Sequence, residues 1–179
     1  MQTDRGSIVH LSPLGENGLI VTWVTAASGL LKTAARDARK PGSDMAGRID
    51  LFHECELLYA PSTKGDLHAL RQISLVDPRL ALRRSLNKLR LASYMARLMM
   101  STLETGDGDP AWHLLMKGAL DYLCEHEPKA AVLRHFEKRL AQLHGLYVPE
   151  SGAHQALLLH FHRLPSGRDA LLEALSTHR

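Results

Sequence analysis

The chain has 179 residues, 45% of them hydrophobic and 23% charged, a globular composition that excludes a disordered chain. Its formal net charge of +3 is too small to define a polyanion-binding protein by itself, so the placement of the charges has to decide. The two cysteines, Cys55 and Cys124, are far apart and neither belongs to a ligand-spaced pair, which fits a reducing cytoplasm. MQTDRGSIVHLSPLG has no long apolar core, and no later segment reaches the roughly 18 apolar residues of a membrane span. A soluble cytoplasmic protein is expected.

Between Ser7 and Val76 the apolar residues form five short runs rich in β-formers: SIVHL, LIVTWVT, LLKTA, IDLFHECELLY and LHALRQISLV. Turn-like separators divide them: LGENG, ASG, KPGSDMAG and PSTKGD. Five strands in so short a stretch predict a small barrel of the oligonucleotide-binding (OB) type, with an SH3-like barrel as the rival. A domain of this size buries only about 60% of its unfolded surface, so it is expected to lean on the C-terminal half of the chain.

At Asp77-Pro78 the pattern changes to a helical period, because proline favours a helix start and RLALRRSLNKLRLASYMARLMMSTLE comes next. Leu82, Leu86, Leu89, Ala92, Ala96 and Met99 are expected on one face. GDGDP ends this helix and caps the next, AWHLLMKGALDYLCEH. A third, KAAVLRHFEKRLAQLHG, is closed by Gly145; a fourth is expected from Ser151 to about Arg163 and a fifth from Arg168 to His178. The fold class is therefore α+β, a five-stranded OB-fold barrel over residues 1–76 followed by an all-helical domain over residues 77–179.

Two basic clusters stand out. Lys32, Arg36, Arg39, Lys40 and Arg48 fall on the third strand and the loop after it, against only Asp37 and Asp44. In an extended strand Lys32, Ala34 and Arg36 share one face and Thr33 and Ala35 the other. Residue content leaves two readings level, contact with a polyanion and a solvated loop that keeps an edge strand soluble. The second cluster is Arg79, Arg83, Arg84, Lys88, Arg90 and Arg97, with no acidic residue between Asp77 and Glu104. On one continuous helix Arg79, Arg83, Asn87, Arg90, Tyr94 and Arg97 form a stripe, suited to a phosphate backbone or to acidic neighbours within the fold.

Other constellations fail. His53 with Cys55, and His160 with His162, fall short of the four ligands of a tetrahedral metal site. There is no GxSxG, no clustered Cys-His pair and no paired carboxylates; a P-loop and a dinucleotide fingerprint are missing too. No enzyme, cofactor or metal site is expected. Trp23, Phe52 and Tyr59 lie in apolar runs and are expected in the core.

The order of LGENGLIVTWVT, SGLLKTAARDARKP, IDLFHECELLY, GDLHAL and LRHFEKRLAQLHGL resembles the bacterial recombination mediator RecO family. That resemblance implies an N-terminal OB-fold, a helical C-terminal domain, binding of single- and double-stranded DNA, and strand annealing. It also implies work with RecR and with the acidic C-terminal tail of single-stranded-DNA-binding protein to load recombinase. Carried over, Lys32, Arg36, Arg39, Lys40 and Arg48 become the barrel's phosphate contacts; on its charge pattern the second cluster adds Arg79, Arg83, Arg84, Lys88 and Arg90 as candidate DNA contacts. Arg134, with Phe136, Arg139 and Leu140, becomes the contact for the acidic tail. Many members carry a four-cysteine zinc module after the "LG" helix; here Pro149, Glu150, Ser151 and Gly152 stand in its place, and a short member without that module is expected. Asp37 stands where a glycine is frequent in the family.

Overall fold

The computed structural model describes residues 1–176 and divides into two compact units. The first comprises Met1–Arg79 together with Glu104–Lys117; the second comprises Leu80–Leu103 and the chain from Gly118 onward.

In the first unit β1 (Gln2–Leu14), β2 (Gly18–Thr25), β3 (Gly29–Ala35), β4 (Glu54–Ala60) and β5 (Leu67–Asp77) close a barrel in the order β1-β2-β3-β5-β4. Neighbours are antiparallel except β3 and β5, which run parallel from Lys32↔Leu67 to Ala34↔Ala69. This is the OB-fold barrel that the five short runs predict. Alternation along the strands sends Ile8, Val21, Trp23, Leu31, Leu57, Tyr59 and Ile73 into one core, and the indole Nε1 donates to Thr33 Oγ1 at 2.9 Å. Phe52 is buried as well. One boundary differs from the apolar pattern: β4 begins at Glu54, not Ile49. Phe52 has a φ of 69°, so Ile49–His53 turns before the strand starts.

The segment Glu104–Lys117 completes this unit. Thr105 bridges to Gly29 and Leu30, and the Gly106 N–H donates to the Leu30 carbonyl at 3.3 Å. Gly29 has a φ of 62°, and a Cβ there would lie 1.7 Å from the Asp107 carbonyl oxygen, so only glycine admits this approach. GDGDP is thus more than a helix cap, because it lies against the barrel.

The second unit holds a 3₁₀ turn (Leu80–Arg84), α1 (Leu86–Thr102), the part of α2 (Pro110–Glu125) from Gly118 on, α3 (Ala130–Leu143), α4 (Ala153–Phe161) and α5 (Arg168–Ser176). Ser85 caps α1 by accepting from the Lys88 N–H, and Gly145, at a φ of 69°, closes the turn after α3. Leu91, Met95, Leu98 and Met99 of α1, Leu133, Phe136 and Leu140 of α3, Leu157 of α4, and Leu171 and Leu175 of α5 are buried.

The helix expected from Pro78 does not start there. Asp77 Oδ1 accepts from the Arg79 N–H at 2.8 Å and Arg79 has a φ of 43°, so the chain turns, passes through the 3₁₀ segment and becomes α-helical only at Leu86. The apolar face shifts accordingly: Leu86 is 62% exposed and Leu89 half-buried, whereas Tyr94 is buried. The fifth helix is described to Ser176; its expected end at His178 lies outside the described residues. Among those residues no helix is long and apolar enough to cross a membrane.

Candidate nucleic-acid interface

The strand alternation expected of β3 holds: Thr33 and Ala35 are buried, while Lys32 and Arg36 are exposed. Two positions beyond the last parallel pair, Ala34↔Ala69, the strands present Arg36 and Arg71. There β3 ends and the chain enters the long loop to β4, which opens a groove of about 780 Å³. Its floor and one wall are Ala34, Ala69, Leu70, Gln72 and Ile73; Ser43, Asp44, Met45 and Arg48 of the loop make the other wall, with Arg36 and Arg71 beside them.

Arg48 fastens this loop. Its Nη1 donates to the Ile73 carbonyl of β5 at 3.1 Å, and its own carbonyl lies 2.9 Å from His53 Nδ1, which must be the protonated nitrogen because a carbonyl only accepts. Arg39 is exposed, and its Nη2 donates to the Gly15 and Glu16 carbonyls at 3.3 and 2.9 Å, tying the loop to the β1–β2 turn. Lys40 is exposed nearby. Asp37 and Asp44 also line the groove, which therefore gathers three arginines against two carboxylates. No aromatic side chain lines it. A planar guanidinium gives two parallel hydrogen bonds to a phosphate, so the groove is chemically equipped for anionic oxygens and lacks a platform for stacking bases.

Arg79 does not belong to this surface. It is 2% exposed, and its guanidinium donates to Glu54 Oε2 (3.1 Å), to Ser7 Oγ (3.1 Å) and to the Phe52 carbonyl (2.8 Å). Glu54, 1% exposed, also accepts from Ser7 Oγ at 2.6 Å and from Arg5 Nε at 3.1 Å, and lies 2.9 Å from His113 Nε2. Burial alone would raise the Glu54 carboxyl, but the hydrogen bonds from His113 and Ser7 and the charges of His113 and Arg79 outweigh it and hold it at about 2. The same burial, with the Glu54 charge, pushes the neighbouring Cys55 thiol up to about 12, so it is inert. Arg79 is structural: a buried guanidinium already bound to a carboxylate has no free face for a phosphate.

The rest of the second cluster is dispersed. Arg83 and Arg84 are exposed on the 3₁₀ turn and Arg90 and Arg97 on α1, while Asn87 is half-buried. Lys88 is buried, with Nζ 3.5 Å from the Cys124 carbonyl, and so is withdrawn from any phosphate contact. The expected continuous stripe is therefore broken, because its first members precede the α-helix. On α3, Arg134 and Arg139 are exposed, but Phe136 and Leu140 are core residues. The two arginines are thus on the outer side of α3 and the two apolar residues on its inner side.

One groove residue escaped the sequence reading. Arg71 sits in LHALRQISLV, and only the parallel register of β3 with β5 brings it level with Arg36.

The molecule thus pairs an OB-fold barrel, bearing a cation-lined groove, with a helical unit, the architecture of OB-fold proteins that carry a helical extension. Residues 1–79 match the family described as "Recombination protein O N terminal" and residues 83–151 match "Recombination protein O C terminal". The chain belongs to the RecO family. It is similar to a "DNA repair protein RecO" of Syntrophotalea carbinolica, 30% identical over 143 residues (79% of this chain and 55% of that protein). One of Cyanothece sp. is 38% identical over 88 residues (49% and 29%), and one of Chromobacterium violaceum is 28% identical over 154 residues (80% and 57%). The chain spans about half the length of these relatives or less. Both α4 and α5 lie beyond the second family match, which ends at residue 151.

Proposed function

We propose that the chain is a non-catalytic mediator of recombination in DNA repair: it binds single- and double-stranded DNA, promotes annealing of complementary strands, and helps load recombinase together with RecR and single-stranded-DNA-binding protein. Its relatives in Syntrophotalea carbinolica and Chromobacterium violaceum are DNA repair proteins, which supports the general role. The observation that carries the DNA-binding part is the convergence of Arg36, Arg48 and Arg71 on an aromatic-free groove. Annealing requires no bond chemistry. Two strands approach once their phosphates are neutralised, and they pair if their base edges stay free. Guanidinium contacts to phosphate without stacking meet both needs, and Lys32 and Lys40 extend the basic flank.

The test is a fluorescence-anisotropy titration with a single-stranded oligonucleotide over a series of salt concentrations. Log affinity falls against log salt, and replacing Arg36 and Arg71 by alanine lowers the slope by roughly 0.7 for each phosphate contact removed. A flat salt response, or an unchanged slope in the variant, rejects the reading.

A second reading is an adaptor that binds repair proteins through its helical unit and has little DNA affinity of its own. It is favoured by an apolar groove of about 510 Å³ between α1 and α5, lined by Leu86, Leu89, Ala170, Leu171 and Ala174 and flanked by Arg90 and Arg97. An acidic tail suits its flanking arginines, and this groove is where we put the tail of single-stranded-DNA-binding protein. Arg90→Glu with Arg97→Glu then abolishes capture of such a peptide; retained capture rejects this assignment.

A further inference from the structure

We propose that the outward face of α3 is a second polyanion site, separate from the barrel groove, and that it takes the phosphate backbone of a single-stranded nucleic acid; its ligand class rests on the DNA-binding reading of the chain. Burial divides α3 cleanly. Leu133, Phe136, Glu137, Leu140 and Ala141 are buried, and Ala131, Arg134, His135, Lys138, Arg139 and Gln142 are exposed. At 100° per residue the six exposed positions fall within an arc of roughly 140°, so the three permanent cations and the histidine share one face.

That face carries no carboxylate. The only acidic residue of the helix, Glu137, points inward, where Arg168 Nε and Nη2 donate to its two oxygens at 2.6 and 2.8 Å. A solvated surface helix ordinarily sets glutamates one turn before its basic residues; α3 has none to offset Arg134, Lys138 or Arg139. Its first turn has no acid either, and Lys129 stands at the N-cap, so positive charge is placed against the helix dipole. Two of the cations are oriented: Arg139 Nη1 donates to Gln142 Oε1 at 3.0 Å, and Lys138 Nζ lies 5.2 Å from the centre of the Tyr147 ring.

Chemistry selects the occupant. No large apolar side chain is exposed on this face, since Phe136 and Leu140 are in the core. A peptide with apolar anchors has nothing to bury here, whereas a phosphate polymer needs only a line of cations. A polyanion site on each unit also suits annealing, which has to hold two strands.

The experiment uses the full chain, a single-stranded thymidine oligonucleotide, and two variants: Arg134→Ala/Lys138→Ala/Arg139→Ala on α3 and Arg36→Ala/Arg71→Ala in the groove. All five positions are exposed, and thermal melting followed by circular dichroism checks the fold. A second α3 variant, Arg134→Lys/Arg139→Lys, keeps the charge and is expected to keep the wild-type slope. The α3 alanine variant is expected to lose roughly 2 from the salt slope, at about 0.7 per contact, with a further loss when the groove substitutions are added. A wild-type slope in the α3 variant beside a reduced slope in the groove variant overturns the α3 site and leaves the groove reading standing. Wild-type slopes in both overturn both. An acidic peptide that binds the wild-type chain and is lost from the α3 variant, with the oligonucleotide slope unchanged, assigns the face to protein and also overturns the proposal.

Discussion

Each unit is built around one buried carboxylate, and the two are held differently. Glu54 receives its four partners from three distant places in the chain: Arg5 and Ser7 on β1, Arg79 after β5, and His113 in the first turns of α2. Glu137 is held from one side, by Arg168 at the start of α5 and by His154 of α4, whose Nδ1 is 3.3 Å away. The Arg79 side chain is 1% exposed, but Arg168 and His154 retain 19% and 28%. Glu54 therefore acts as a keystone that joins the ends of the barrel unit, and Glu137 as a clasp that fastens the last two helices. A buried ion pair is weak evidence of net stabilisation, yet breaking one leaves an uncompensated charge, so the cost scales with how fully the partner is enclosed.

That difference is open to measurement. Glu54→Gln keeps the shape but strands the buried Arg79 guanidinium, and is expected to cost about 3–5 kcal/mol in chemical denaturation; a loss of only a few tenths would remove the keystone role. Acid titration sharpens the same point. Glu54 has an ordinary value of 4.5 and is held at about 2 in the fold. Between those values the unfolded chain binds a proton that the folded chain refuses, so the Glu54 contribution is fully present above about pH 4.5 and is lost as pH falls through about 2. The wild-type denaturation midpoint should drop across that window, and the Glu54→Gln chain should show a shallower drop. The clasp is weaker. Glu137→Gln strands Arg168, whose side chain is 19% exposed and reaches water, and is expected to cost about 1.5–3 kcal/mol, the range for hydrogen bonds to a charged group. Native-state hydrogen exchange should show the loss confined to α4 and α5; a loss equal to that of Glu54→Gln would erase the distinction. The smallest effect on stability belongs to Arg36→Ala and Arg71→Ala, exposed groove residues expected to shift stability by no more than about 0.5 kcal/mol while changing DNA binding.

Much of the barrel was legible because it is governed by a local rule. Period-two alternation puts Trp23 and Tyr59 inside and Lys32 and Arg36 outside without knowledge of any partner strand. The segment from Arg79 to Arg90 was not, because its conformation is set from far away. Arg79 leaves the helical pattern to reach Glu54, 25 residues earlier, and the periodicity of LALRRSLNKL carries no trace of that bond. Lys88 and Phe136 misled for a related reason: residue type marks them as candidates, but only packing decides that they face inward. Arg71 was invisible until strand order was known, since its place beside Arg36 depends on parallel pairing between strands separated by β4. GDGDP read correctly as a break between helices, and its second task, lying against Gly29, required the tertiary fold.

In the proposed function the barrel groove binds DNA through phosphate contacts. Its most direct test is the slope of log affinity against log salt for a single-stranded oligonucleotide, compared between the wild-type chain and Arg36→Ala/Arg71→Ala. If Arg36 and Arg71 each hold a phosphate, the slope drops by roughly 1.4, two contacts at about 0.7 each, with the fold intact. An identical slope in the two proteins would contradict it.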